Sequence, residues 1–161
     1  MTEKIKMTLD ELIPFFFSGK AQFSIVHKER TLHVRVEKKR LTTSEFLFFV
    51  YLRRSWVNSG WHLAGTIKGY DIFNVAASLW DAGKPATALD PLFYWIEKVI
   101  KRRTSVKNVY FYHHDICGRC GRSLYKEKSV LNGFGPECWK YVQLWIDTSK
   151  TRHNEAQTQA T

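Results

Sequence analysis

Apolar and polar residues alternate with a period of two in two stretches near the start of the chain. Phe23 and Ile25 alternate with polar neighbours within residues 21–26, and Leu32, Val34 and Val36 do so within residues 31–36. A half-buried strand requires that period, because its successive side chains point to opposite faces. The polar run at 27–30 predicts a hairpin connection, and the charged run at 37–40 predicts the end of the second strand. Residues 46–52 are apolar throughout, so periodicity alone does not separate strand from helix; their Phe, Val and Tyr content predicts a central strand. A turn at Asn58, Ser59 and Gly60, a strand over 61–67 and a further turn at Lys68-Gly69 follow.

Helical signals bracket this strand region. Thr8 and Glu11 have the spacing of a capping box, which opens a short helix through Phe17 that stops at Ser18-Gly19. Pro14 limits its length, because it lacks a backbone donor. Asp90-Pro91 is a second helix start, followed by an apolar stripe of Leu92, Trp95, Ile96, Val99 and Ile100 and a cationic end at 101–103. Residues 71–81 admit two readings. Ile72, Val75, Ala76, Leu79 and Trp80 fall at helical spacing, while 72–75 fits equally well as the return strand of a hairpin. A last strand over 106–112 leads into a cysteine cluster, a terminal helix follows, and residues 147–161 lack any apolar pattern and are expected to form a disordered tail. The pattern as a whole predicts an α+β fold: an antiparallel sheet of about five strands flanked by helices, in one domain over residues 1–146.

Composition agrees with one globular unit. The chain has 161 residues, 44% of them hydrophobic and 15% aromatic, enough to bury a core without disulfides. Its longest apolar run, 46–52, is far below the roughly 18 residues that span a bilayer. Residues 1–11 have no apolar stretch of the signal-peptide kind, so a soluble cytoplasmic protein is expected.

The three cysteines lie together, at 117, 120 and 138. Cys117 and Cys120 form C-x2-C, and Gly121 permits the tight turn that aims both sulfurs at one ion. Cys138 follows Gly135-Pro136-Glu137, a helix start whose free amides favour a thiolate. These features predict a zinc knuckle within a treble-clef-like module at 106–146, holding one structural Zn2+. A fourth ligand is needed, and His113 and His114 are both candidates, since either ring is within reach from the end of a strand. Tyr141 stands where a second C-x2-C would have placed a cysteine.

The stretch 112–139 resembles an uncharacterised family of small phage and bacterial proteins, a domain of unknown function. The likeness rests on His113, Cys117-Gly118, Cys120-Gly121-Arg122, Leu124, Ser129 and the run Gly133 to Cys138. The resemblance implies that His113 is the fourth ligand and that His114 is at a variable position. A looser likeness upstream, at Gly19 to Phe23, at 63–67 and at the helix with Trp95, favours the hairpin reading of 72–75. Residues 125–129 depart from the family by being more basic, and 53–56 have no counterpart in it. The family carries no activity to transfer.

Charge then narrows the function classes. Lys and Arg number 25 against 15 Asp and Glu, a net +10. Nine cations lie between Lys98 and Lys128, against Asp115 and Glu127. If the end of the Trp95 helix and the knuckle share one face, Lys101, Arg102, Arg103, Lys107, Arg119, Arg122, Lys126 and Lys128 form a phosphate-binding patch. Tyr110, Tyr125 and Trp139 lie near enough in sequence to stack on bases. Motifs for catalytic zinc, for a phosphate loop or for a nucleophile elbow are absent from the sequence, and Asp71, Asp81 and Asp90 are explained by turns and caps. The sequence thus predicts a non-catalytic, zinc-containing nucleic-acid-binding protein, phage-encoded and working on DNA or RNA in a bacterial cytoplasm. The alternative is a module that docks on a host or phage enzyme, with Trp56 and Trp61 as candidate partner contacts.

Overall fold

The computed structural model describes residues 5–42, 45–54, 60–69, 75–76, 80–81, 84–85, 92–102 and 107–159. In chain order the elements are β1 (Ile5–Met7), α1 (Leu9–Phe16), β2 (Lys20–His27), β3 (Arg30–Arg40), β4 (Phe46–Arg54), β5 (His62–Gly69), β6 (Val75–Ala76), β7 (Trp80–Asp81), β8 (Lys84–Pro85), α2 (Phe93–Arg102), β9 (Val109–His113), α3 (Glu127–Asn132) and α4 (Pro136–Gln159). The alternating stretches are strands, as their period requires. The fold class is α+β.

Seven strands form one antiparallel sheet in the order β1-β9-β2-β3-β4-β5-β6, and β7 pairs with β8 separately. From β2 to β6 the sheet is a meander of sequential neighbours. The exception is β9, which enters between β1 and β2 and pairs with both. This insertion matters for function, because β9 leads directly into the cysteines.

Two strands run past their expected ends. The charged run 37–40 continues β3, with Arg40 opposite Phe46, because backbone pairing to β4 persists after the apolar alternation stops. Lys68 and Gly69 do not turn but remain in β5, opposite Ala76 and Val75. That pairing is the hairpin reading of the ambiguous segment, as far as 75–76; residues 70–74 and 77–79 lie outside the described residues. So do the expected turn at Asn58-Ser59, the helix start at Asp90-Pro91, Trp56 and Arg103. The stretch expected as a tail from 147 belongs to α4, which runs to Gln159. Neither Gly nor Pro interrupts it after Pro136, and Gln143 Nε2 donates to Asp147 Oδ1 one turn on.

The core occupies one face of the sheet. Ala21, Phe23, Ile25, Leu32, Val34 and Val36 are buried there and continue across to Phe48 and Val50. Capped reciprocally by Thr8 and Glu11, α1 lays consecutive phenylalanines over this face. Phe16 meets Phe23 at 5.7 Å between ring centroids, and Phe17 meets Phe48 at 4.9 Å edge-on. Phe15 turns the other way, toward β9 and the cysteine module. Thus α1 is the wedge between sheet and site. Among the described residues no helix is long and apolar enough to cross a membrane.

Thr8→Ala removes the acceptor for the Glu11 amide, and the loss is expected to cost about 1 kcal/mol. The check is a lower urea midpoint with an unchanged slope.

Candidate metal centre

Alternation along β9 sends Val109, Phe111 and His113 to the core and Tyr110 and Tyr112 to the opposite face. After β9 the chain forms a tight hairpin, with Ile116 bridged to Ser123 and the Cys117 amide donating to the Arg122 carbonyl at 2.8 Å. Gly121, at φ +77°, takes the left-handed conformation this turn needs, and its amide donates to the Cys117 carbonyl. Cys117 and Cys120 therefore share one side of the turn. The short helix α3 then returns the chain, and α4 starts at Pro136 with Cys138 in its first turn.

These elements bring the three Sγ atoms within 4.8 Å of one another. All three cysteines are free thiols, with Cys117 and Cys138 buried. A tetrahedral ion with metal–sulfur bonds of ~2.3 Å holds its sulfurs roughly 3.8 Å apart, so a contraction of about 1 Å would seat one. Local electrostatics set the two buried thiols apart. Burial pushes the Cys117 thiol up, but amides of Cys120, Gly135 and Arg119 donate to it and hold it below its ordinary value. Burial dominates at Cys138 and pushes it up to about 11, against the pull of Arg119, with Cys117 adding to the rise. Two thiolates so close repel each other unless a cation lies between them.

The two histidines part company. His113 is buried, stacked on Phe15 at 5.4 Å, and its Nδ1–H donates to the His114 carbonyl at 3.0 Å. Its Nε2 is buried without a hydrogen-bond partner. The ring is not among the converging ligand atoms, which among the described residues are the three sulfurs. His114 lies on the opposite face of the sheet, where Ser24 Oγ is hydrogen-bonded to it and to His33. The period-two alternation of β9, continued by one residue, separates them.

Residues 108–143 match the model of a family of unknown function, DUF6011. The match runs from just before β9 into α4, over the same motif that resembles an uncharacterised family, and it contains the three cysteines and His113. No curated protein and no solved structure matches the chain. Within the matched segment the knuckle is fixed to the rest of the fold through Gly118. Its amide donates to the Gly133 carbonyl at 2.9 Å, and its carbonyl accepts from Lys20 N at 2.8 Å and Ser18 Oγ at 2.6 Å. A Cβ on Gly118 would stand 2.6 Å from the Phe15 ring.

The described backbone positions of the expected cationic patch lie in separate parts of the fold. Lys107 precedes β9, and Arg119, Arg122, Lys126 and Lys128 follow it, so the length of β9, on the order of 15 Å, separates the two groups. Lys101 and Arg102 belong to α2, whose Trp95 packs on His27 at the Val109 end of β9, away from the knuckle. Arg119 is partly engaged: Nη1 lies 3.6 Å from Cys138 Sγ, and the guanidinium stacks 4.3 Å from the Tyr141 ring. Tyr141, in place of a fourth cysteine, supports this arginine instead of binding metal. Of the candidate stacking residues, Tyr125 is 90% exposed, Trp139 packs on Phe134, and Tyr110 lies beneath Lys6. Lys38 was not legible as part of this region. Its Nζ is 3.9 Å from the Phe46 ring centroid and 4.3 Å from that of Trp145; burial, with Arg40 and Arg119 adding to it, lowers its pKa to about 8.

Two outcomes follow from this geometry. Gly118→Ala should destabilise the protein by about 1–3 kcal/mol through overpacking, measured by chemical denaturation. Because Cys138 keeps its proton up to about pH 11, an ion must displace that proton to bind at any lower pH. Apparent affinity for a divalent ion should therefore fall at least tenfold per pH unit below 9, as read by competition with a chelator.

Proposed function

We propose that Cys117, Cys120, Cys138 and His113 hold one structural zinc ion, and that the module so stabilised serves non-catalytic binding of nucleic acid. Three thiolates and an imidazole are a donor set suited to zinc. For His113 the support is its hydrogen bonding. Donation from Nδ1 to a carbonyl fixes the tautomer that leaves Nε2 as a ligand, and that Nε2 is buried without another partner. Four protein ligands would leave no position for a substrate or reacting water, so the ion's contribution would be to folding.

The observation that carries the nucleic-acid reading is Tyr125. It is 90% exposed and lines, with Arg122 and Lys126, the cavity that also holds the three cysteines, while Lys128 is exposed in the α3 that follows. An aromatic ring left unpacked among cations suits a base stacked above it and phosphates held beside it. Glu127 and Glu137 lie on the same module, so the cationic excess is local and modest.

Metal analysis of the purified protein should give one zinc per chain, lost in His113→Ala or Cys138→Ser. Labelled oligonucleotides should bind in fluorescence anisotropy with an affinity that falls steeply with salt. Tyr125→Ala with Arg122→Ala should weaken binding about tenfold, and absence of binding at low salt would refute the reading.

A further inference from the structure

The sheet has a second face, opposite the core. Contacts from the helices run to the core side: Phe16 to Phe23, Trp95 to His27, Trp145 to Lys38. On the other side the register places Lys6, Tyr112, Ser24, His33 and Arg53 in one row across β1, β9, β2, β3 and β4. With strands ~4.8 Å apart that row is about 19 Å long. The neighbouring row brings Gln22, Arg35, Tyr51 and Leu63 together.

Aromatic rings and cations interleave on this face. The Arg35 guanidinium lies 4.6 Å from the Tyr51 ring and 5.1 Å from Trp61, and Arg53 lies 5.1 Å from the same Trp61. Lys39 sits 4.7 Å from Phe49, and Lys6 sits 4.5 Å from Tyr110. Among the described residues the carboxylates here are Glu37 and Glu45, each 3.5 Å from a cation, Arg35 and Lys68. Lys6, Lys39 and Arg53 have no ion-pair partner among the described residues.

We propose that this face binds single-stranded nucleic acid, with phosphates on Lys6, Lys39 and Arg53 and bases stacked on the Tyr51–Arg35–Trp61 group. It rests on the nucleic-acid reading above and names a different surface for it. The excess of cations suits a polyanion, and rings spread over a sheet suit unpaired bases, which expose their π-faces only outside a duplex. Trp61, expected as a protein anchor, is half-buried between two guanidinium groups.

The test titrates the zinc-loaded full chain into labelled oligothymidine, oligouridine and a duplex of equal length. Single strands should bind at least tenfold tighter than duplex. Arg53→Glu and Tyr51→Ala should each weaken single-strand binding about ten- to a hundredfold, with zinc content unchanged. Arg53 is exposed, so its charge reversal spares the fold, and Tyr51→Phe, which keeps the ring, should bind like wild type. Loss in these variants supports the inference whether or not the Tyr125 variant also loses affinity. Wild-type affinity in Arg53→Glu and Tyr51→Ala, with loss only in the Tyr125 and Arg122 variant, overturns this surface and leaves the knuckle reading standing. Duplex binding as tight as single-strand binding also overturns it. No binding to any oligonucleotide at low salt overturns both, and a protein partner would then take the place of nucleic acid.

Discussion

The close approach of Gly118 to Phe15 is the contact on which the rest of the structure depends. No side chain fits between them, so the knuckle backbone rests directly on α1. The peptide groups of Gly118 then reach in three directions, to Gly133, Lys20 and Ser18. A carbonyl with two donors and an amide with an acceptor leave neither peptide group of Gly118 unsatisfied, which lets a loop sit against a hydrophobic core. Phe15 also stacks on His113 and touches Phe134. One ring thus sets the positions of the strand that enters the module, the turn that carries two cysteines and the segment that precedes the third.

That arrangement divides the stabilising forces. The sheet and α1 have an apolar core of their own, from Phe16 and Phe17 to Val36 and Val50. The module has little beyond Leu124, Phe134, Val142 and the thiols themselves, so a metal ion there would replace missing hydrophobic burial. The two buried thiols differ: amides lower Cys117 against its burial, while burial and the neighbouring sulfur raise Cys138, whose proton an ion would have to displace. A divalent cation relieves both the repulsion and the desolvation.

Cations distant in sequence converge for the same geometric reason. Lys38, at the end of β3, continues the core side of the strand past its apolar part and meets Trp145 of α4. There burial, with the charges of Arg40 and Arg119 adding to it, depresses the pKa of the ammonium. On the opposite face of the sheet, the rings of Tyr51 and Trp61 hold Arg35 and Arg53 in place at a modest cost in side-chain entropy. A protein with a net +10 therefore displays its charge in organised groups.

By itself the sequence determined the local elements and the donor atoms. Alternation at 21–26 and 31–36, the capping box at Thr8, and the glycine after C-x2-C each state a short-range requirement that neighbouring residues satisfy alone. It also placed three thiols within one segment, because metal-ligand spacing is local. Only the tertiary structure decided what depends on long-range pairing. The register of β9 against β2 put His113 on the core side, and Ser24 on the other face holds His114. Continued pairing with β4 carried β3 through a charged run that by composition should have ended it. The aromatic and cationic rows of the second face exist only across strands, since residues 6, 112, 24, 33 and 53 become neighbours through hydrogen bonds between backbones, to which no pattern along the chain refers.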